Sequence, residues 1–234
     1  MLLATSCAGD ADGGNDGGDG AGRGRAGSPP FTGVPALASP TVGTIDVAGD
    51  SVTAQAVADP GARDAFPADA DVLFDVRQGA RIEDHLAPLA QRAQGPMRPR
   101  PDLLVVALGT VNGLGPTSGG WDDLDAELFA KLLAVPDGGS CVVVVLPGVG
   151  PQASPADRAA AEAMRADMRR LVRSRPHTVV ADWGAWAAEH PDDLAADGIA
   201  LSSAGARPGE LAVRRASRAW LDLVERAVGR CADA

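Results

Sequence analysis

Leu103-Leu104-Val105-Val106-Ala107-Leu108 is followed at once by Gly109-Thr110-Val111-Asn112-Gly113. The apolar run does not alternate with polar residues, so a strand formed from it has both faces covered, as strands of a parallel sheet do once helices pack on each side. Cys141-Val-Val-Val-Val-Leu146 is a second run of the same kind. Working outward, residues 42–48, 71–75 and 178–181 join 102–108 and 141–146 to make five predicted strands, each β-branched-rich and bounded by Gly, Pro or Asp. Residues 51–58, 80–94, 124–133 and 155–173 between them carry helical patterning, and 210–228 closes the chain as another helix. This β-α alternation predicts a three-layer α/β/α domain around a five-stranded parallel sheet.

The composition is that of a folding chain: 234 residues, 45% hydrophobic and 22% charged. One domain over residues 41–234, preceded by a tether over 1–40, is the economical division. The formal net charge of -10 repels phosphate backbones and anionic headgroups, so no nucleic-acid partner is expected. No apolar run reaches the ~18 residues of a membrane-spanning helix. The cysteines Cys7, Cys141 and Cys231 lack C-x-x-C spacing, so no metal site and no cofactor are expected. Lys131 is the only lysine and tyrosine is absent, a skew read as genomic bias and not as chemistry.

Met1-Leu-Leu-Ala-Thr-Ser-Cys7 looks like the end of a bacterial lipoprotein signal, with Cys7 as the lipidated residue. Only six residues precede Cys7, fewer than a full signal needs, so this reading implies a start site placed too far downstream. The alternative is a cysteine without a role in a floppy N-terminus. Residues 8–39 are Gly/Asp-rich and then Pro-rich, too poor in apolar groups to offset the entropy of ordering. A tether behind an anchored cysteine would hold a domain clear of a membrane surface.

Ligand sites of open parallel sheets form at the carboxyl ends of the strands. Gly49-Asp50-Ser51-Val52 follows the first strand and places a serine on a tight turn entering a helix. Asp75-Val-Arg-Gln-Gly79 follows the second, and Gly109-Thr-Val-Asn112 the third. After the fifth come Asp182-Trp183, His190-Pro-Asp-Asp193 and Asp197-Gly-Ile-Ala200-Leu-Ser-Ser-Ala-Gly205. Each block alone reads as an N-cap or as turn chemistry. A backbone N–H at Gly79 and the Asn112 amide are also the kinds of donor that build an oxyanion hole.

Taken jointly and in this order, the blocks resemble those of the SGNH (GDSL-type) hydrolases over about residues 42–226. The C-terminal phrase is most similar to the hydrolase domains of bacterial cell-envelope O-acyltransferases and their stand-alone relatives. The resemblance implies a flavodoxin-like sheet of five parallel strands, Ser51 as nucleophile, and the Ser51 backbone N–H, Gly79 and Asn112 as oxyanion donors. Asp197 would orient the base. Two departures stand out. The third block is one residue longer than the family's glycine-x-asparagine, and Ala200 occupies the place of the family's catalytic histidine.

Without an imidazole nothing takes the serine proton or returns it to the leaving group. Loss of a triad member costs roughly 10⁴- to 10⁶-fold in turnover. His177 precedes the fifth strand, at the wrong end of the sheet. His190 is expected to structure a loop, and His85 to face solvent or the helix layer; either is a candidate substitute base. Three readings follow: a non-catalytic cell-envelope protein that binds an acylated glycan, peptidoglycan fragment or protein partner; a working carbohydrate esterase or acyltransferase with a displaced base; and a structural envelope lipoprotein. The first is preferred.

Trp121 ends the Gly-rich loop after the third strand, where its ring could stack on a sugar. Arg158, Arg165, Arg169 and Arg170 read as a solvated helix face. Cys141 and Cys231 fall at the sheet end away from the site, where export would permit a disulfide; a buried free Cys141 is the equal alternative. A monomer is expected.

Overall fold

The computed structural model describes residues 43–94, 100–115, 118–136, 139–201 and 207–232, with the backbone alone for 207–213 and 232. The expected tether and Cys7 lie outside the described residues. Five strands, β1 (Thr44–Gly49), β2 (Asp71–Val76), β3 (Leu103–Ala107), β4 (Cys141–Leu146) and β5 (Thr178–Asp182), form one parallel sheet in the order β2-β1-β3-β4-β5. The helices are α1 (Ser51–Val57), α2 (Ile82–Gln94), the single turn α3 (Thr110–Gly113), α4 (Asp123–Leu133), α5 (Pro155–Arg173), α6 (Trp183–Glu189) and α7 (Arg207–Ala232).

Alternate residues of the central strands serve opposite cores, because strand side chains point to the two faces in turn. Ile45, Val47, Leu103, Val105, Val143 and Val145 pack with α1, α6 and α7, including the buried Trp183, Trp220 and Val224. Ala48, Leu104, Val106, Val142, Val144 and Leu146 pack with α2, α4 and α5, including Phe129, Met164 and Met168. Each fully buried Val or Leu contributes about 1.5–3 kcal/mol, which is why the unalternating runs are the least ambiguous part of the sequence. The domain is therefore the three-layer α/β/α structure expected.

The departures in detail are local. α6 was not anticipated: its seven residues are too few to show a period, and it begins only because the Asp182 side chain accepts the Ala185 N–H and caps it. α7 starts at Arg207, ahead of the expected residue 210, with Pro208 in a first turn that does not need its N–H. At the amino-terminal end of the sheet, Cys141 and Cys231 form a disulfide that ties β4 to α7, with Cα atoms 5.8 Å apart. This resolves the two alternatives for Cys141.

Candidate active site

β1 delivers Ser51 through a tight join. Gly49 lies so close to α1 that an added Cβ would stand 2.4 Å from Thr53. Asp50, almost fully buried, caps α1 by accepting the Val52 N–H at 3.1 Å, and its other oxygen accepts the Thr110 N–H at 3.1 Å. Burial pushes the Asp50 carboxyl up to about 6, against the opposing hydrogen bonds from Thr110, Val52 and Thr53. Asp50 thus ties the turn after β1 to the turn after β3, and it leaves the Ser51 side chain half-buried at the helix start.

The Ser51 hydroxyl accepts a hydrogen bond from the Gly79 N–H at 2.8 Å. Gly79 adopts φ +74°, a left-handed backbone that glycine enters without the Cβ penalty. The loop is fixed to the sheet by Arg77 N–H donating to the Gly49 carbonyl at 3.1 Å. Two of the sequence-nominated groups, Ser51 and Gly79, are therefore in direct contact.

The Asp197 block reaches α1 from the other half of the chain. Asp197 Oδ1 accepts the N–H groups of Ile199 and Ala200 at 2.9 and 3.1 Å, closing a turn whose carboxylate stays exposed. Ala195 N–H donates to the Ala200 carbonyl, and Gly150 N–H donates to the Gly198 carbonyl at 2.7 Å, pinning the turn to the loop after β4. Leu201 N–H donates to Gln55 Oε1 at 3.1 Å. Gln55 is four residues after Ser51, hence on the same face of α1 one turn on. This contact ties the end of the Asp197 turn to α1, one turn beyond Ser51. Gln55 escaped the sequence reading because nothing in a single helical glutamine marks a partner 146 residues away.

The expectation that Asn112 offers its amide to the serine is corrected. Its Nδ2 donates to Glu83 at 3.2 Å and to Asp125 at 2.7 Å, and its Oδ1 accepts the Ile82 N–H that opens α2. The cause is the extra residue in the third block: on the helical turn α3, one added position rotates the side chain by about 100°. Asn112 instead joins α2 to α4.

Trp121, named as a stacking residue, is half-buried and anchored. Its ring packs edge-on against Phe129, its Nε1 donates to Asp167 at 3.1 Å, and it fills the space beside Gly109 and Gly113. Arg165 and Arg169, read as part of a solvated face, both pair with Asp182.

None of the three histidines hydrogen-bonds Ser51 among the described residues. His177 lies before β5 at the far end of the sheet, with φ +50°. His190 ends α6, which grows from β5, three strands or about 14 Å across the sheet from β1; its ring stacks on Trp186 at 4.4 Å, and Nδ1 contacts the Trp186 carbonyl. His85, expected toward solvent or the helix layer, is wholly buried beneath α2, with Nδ1 3.5 Å from Asp75 and no hydrogen-bond partner on either nitrogen. Burial holds the His85 imidazole below its ordinary value, although the nearby Asp75 carboxylate acts the other way. Among the described residues there is no cluster of three or more His, Cys, Asp or Glu able to hold a metal ion, and no helix long and apolar enough to cross a membrane.

No family model and no curated protein matches the sequence. Solved structures do match the fold. The C-terminal catalytic domain of Streptococcus pneumoniae peptidoglycan O-acetyltransferase A, determined with a methylsulfonyl adduct, superposes with a TM-score of 0.62 at 20% identity, covering 82% of this chain and 94% of that one. A member of the lipolytic G-D-S-L family from Veillonella parvula gives 0.57 at 13% identity over 75% and 96%. An acetylxylan esterase from Geobacillus stearothermophilus gives 0.50 at 14% over 77% and 95%. The fold of this chain is that of the SGNH/GDSL hydrolases and acyltransferases.

Proposed function

We propose that this chain is an envelope-side relative of the SGNH esterases and acyltransferases that keeps the acyl-binding corner of the site and lacks a base of its own. Its ligand is an O-acylated carbohydrate of the cell-wall type. The reading is carried by one observation: Ser51 Oγ is seated on the Gly79 N–H at 2.8 Å, while the Asp197 turn, which carries Ala200 where the family has its histidine, is tied to the same helix through Gln55. An N–H at that point can stabilise the negative charge that develops on an acyl oxygen, and the backbone N–H of Ser51, in the first turn of α1, has no intrahelical acceptor and can join it. With alanine at 200, the turn offers the serine proton no imidazole.

Support for the ligand class comes from the fold neighbours, one described as a peptidoglycan O-acetyltransferase and another as an acetylxylan esterase, both names that specify acetyl groups on polysaccharides. The Cys141–Cys231 disulfide suits an oxidising compartment and so supports export. Anchoring through a lipid on Cys7, with the following residues as tether, belongs to the same proposal.

Reaction of the full chain with a fluorophosphonate, read as a mass shift on Ser51, tests it beside Ser51→Ala and Ala200→His. The expected result is a wild type as inert as Ser51→Ala, with Ala200→His labelled. Rapid labelling of the wild type would overturn the reading in favour of an esterase with a displaced base.

A further inference from the structure

We propose that the interior cavity shared by Asp50 and Trp183 is a binding site for one water molecule, which accepts the Trp183 indole N–H and donates to Asp50 and Thr53. The cavity is lined by Asp50 and Thr53 from the start of α1, Ala107 and Pro147 from the ends of β3 and β4, and Trp183 and Trp220 from α6 and α7. All six are buried. Trp183 is 2% exposed, and among the described residues its Nε1–H has no hydrogen-bond partner. The ring is not free to turn and find one: it is stacked on Trp186 at 4.5 Å, and Trp186 in turn on His190 at 4.4 Å. An N–H buried without a partner costs about as much as a lost hydrogen bond, so the indole calls for an acceptor inside the fold.

Size and polarity select the occupant. The volume open to the centre of a water molecule is about 10 Å³, roughly what one water needs and too little for an organic ligand. A metal cation is poorly served, because Asp50 brings the one carboxylate of the lining and its two oxygens already accept the Val52 and Thr110 N–H groups. Water fits the groups that remain. Thr53 Oγ1 gives its hydrogen to the Ala107 carbonyl at 3.2 Å, which leaves its lone pairs to accept. Burial raises the Asp50 carboxyl to about 6, and water can donate to its ionised form and accept from its protonated one. Asp50 caps α1 and Trp183 opens α6, so the bound water joins the turn that carries Ser51 to the helix after β5.

The isotope-labelled full chain is studied by NMR, with the Trp183 indole signal identified by its loss in Trp183→Phe. Expected is a cross-peak from this proton to water in nuclear and rotating-frame Overhauser spectra, with the signs of a water that stays longer than the molecule takes to tumble. Two variants separate a bound water from a hydroxyl proton that exchanges with solvent. Thr53→Val removes the hydroxyl and should keep the cross-peak, since the indole and Asp50 remain. Val145→Ile adds a methyl group to the buried lining and should abolish it. A wild type without the cross-peak would overturn the site, and so would its loss in Thr53→Val or its persistence in Val145→Ile. Where Val145→Ile does not fold, a crystal structure of the full chain decides. A density peak within about 3.2 Å of Trp183 Nε1 and of an Asp50 or Thr53 oxygen supports the site, and no peak, or one out of reach of the indole, overturns it.

Discussion

Two carboxylates of this molecule have opposite companions. Asp197 stands exposed in a turn tied to the helix that Ser51 begins, but has no imidazole. Asp75 has an imidazole 3.5 Å away, His85, yet the pair is enclosed beneath α2 with arginines and no nucleophile. Arg92 reaches both Asp75 and Asp46 from α2, and Arg77 adds a second cation to Asp75. Burial works to raise the Asp75 carboxyl, and the hydrogen bonds from Arg92 and Arg77 outweigh it and hold the group below its ordinary value. A histidine and an aspartate in contact are thus no sign of catalysis: what decides is whether both open onto the same hydroxyl.

The sharpest way to separate the two places is to move the imidazole. Ala200→His is expected to raise Ser51 labelling by about 10²- to 10⁴-fold, the range of general-base assistance, and adding Asp197→Asn should remove most of the gain; measured rates of the single and double variants check this. Next in size, Arg92→Ala takes away the guanidinium shared by Asp46 and Asp75, and is expected to cost about 3 kcal/mol in urea unfolding with the reactivity of Ala200→His unchanged. A loss of reactivity there would mean that the two regions are coupled.

The pH response follows from the same contrast. His85 has its folded value lowered, so above the unfolded value of 6.5 both states are neutral and it contributes nothing; as pH falls below 6.5 the unfolded chain takes up the proton and stability is lost. Asp50 has its folded value raised to about 6, so its contribution is fully present below 3.8 and is lost as pH rises through about 6. Between pH 7 and 5 these oppose one another. In His85→Leu the acid loss should disappear and the Asp50 gain emerge as an unfolding midpoint that rises on acidification; a midpoint that still falls would show that His85 is not its source. Smallest, Gly79→Ala should cost about 1 kcal/mol, because φ +74° is strained for alanine although no atom lies within 4 Å of the added Cβ. Its effect on labelling, measured in the Ala200→His background, should exceed its effect on stability.

The sheet was legible in the sequence because unalternating apolar runs leave few alternatives, and Cys141–Leu146 matches its expected limits residue for residue. The meeting of Ser51 with Gly79 could be proposed from the resemblance and is present as a 2.8 Å hydrogen bond. What could not be read depended on rotation and on distance along the chain. One extra residue before Asn112 turned its amide toward Glu83 and Asp125. His85 follows a helical pattern whose buried side was not evident from a sequence containing Glu83, Asp84 and Pro88 in the same helix. Gln55 and Leu201 become partners only through the fold.

The Cys141–Cys231 bond spans 90 positions, and the ring it closes contains the whole Asp197 turn but not Ser51. Linking so distant a pair removes about 4–5 kcal/mol of freedom from the unfolded chain on the loop-entropy account. The two halves of the site therefore belong to different covalent objects, a closed loop and an open strand of chain. A single protease cut inside the ring would leave one species on a non-reducing gel and two after reduction, with Ser51 on the amino-terminal fragment.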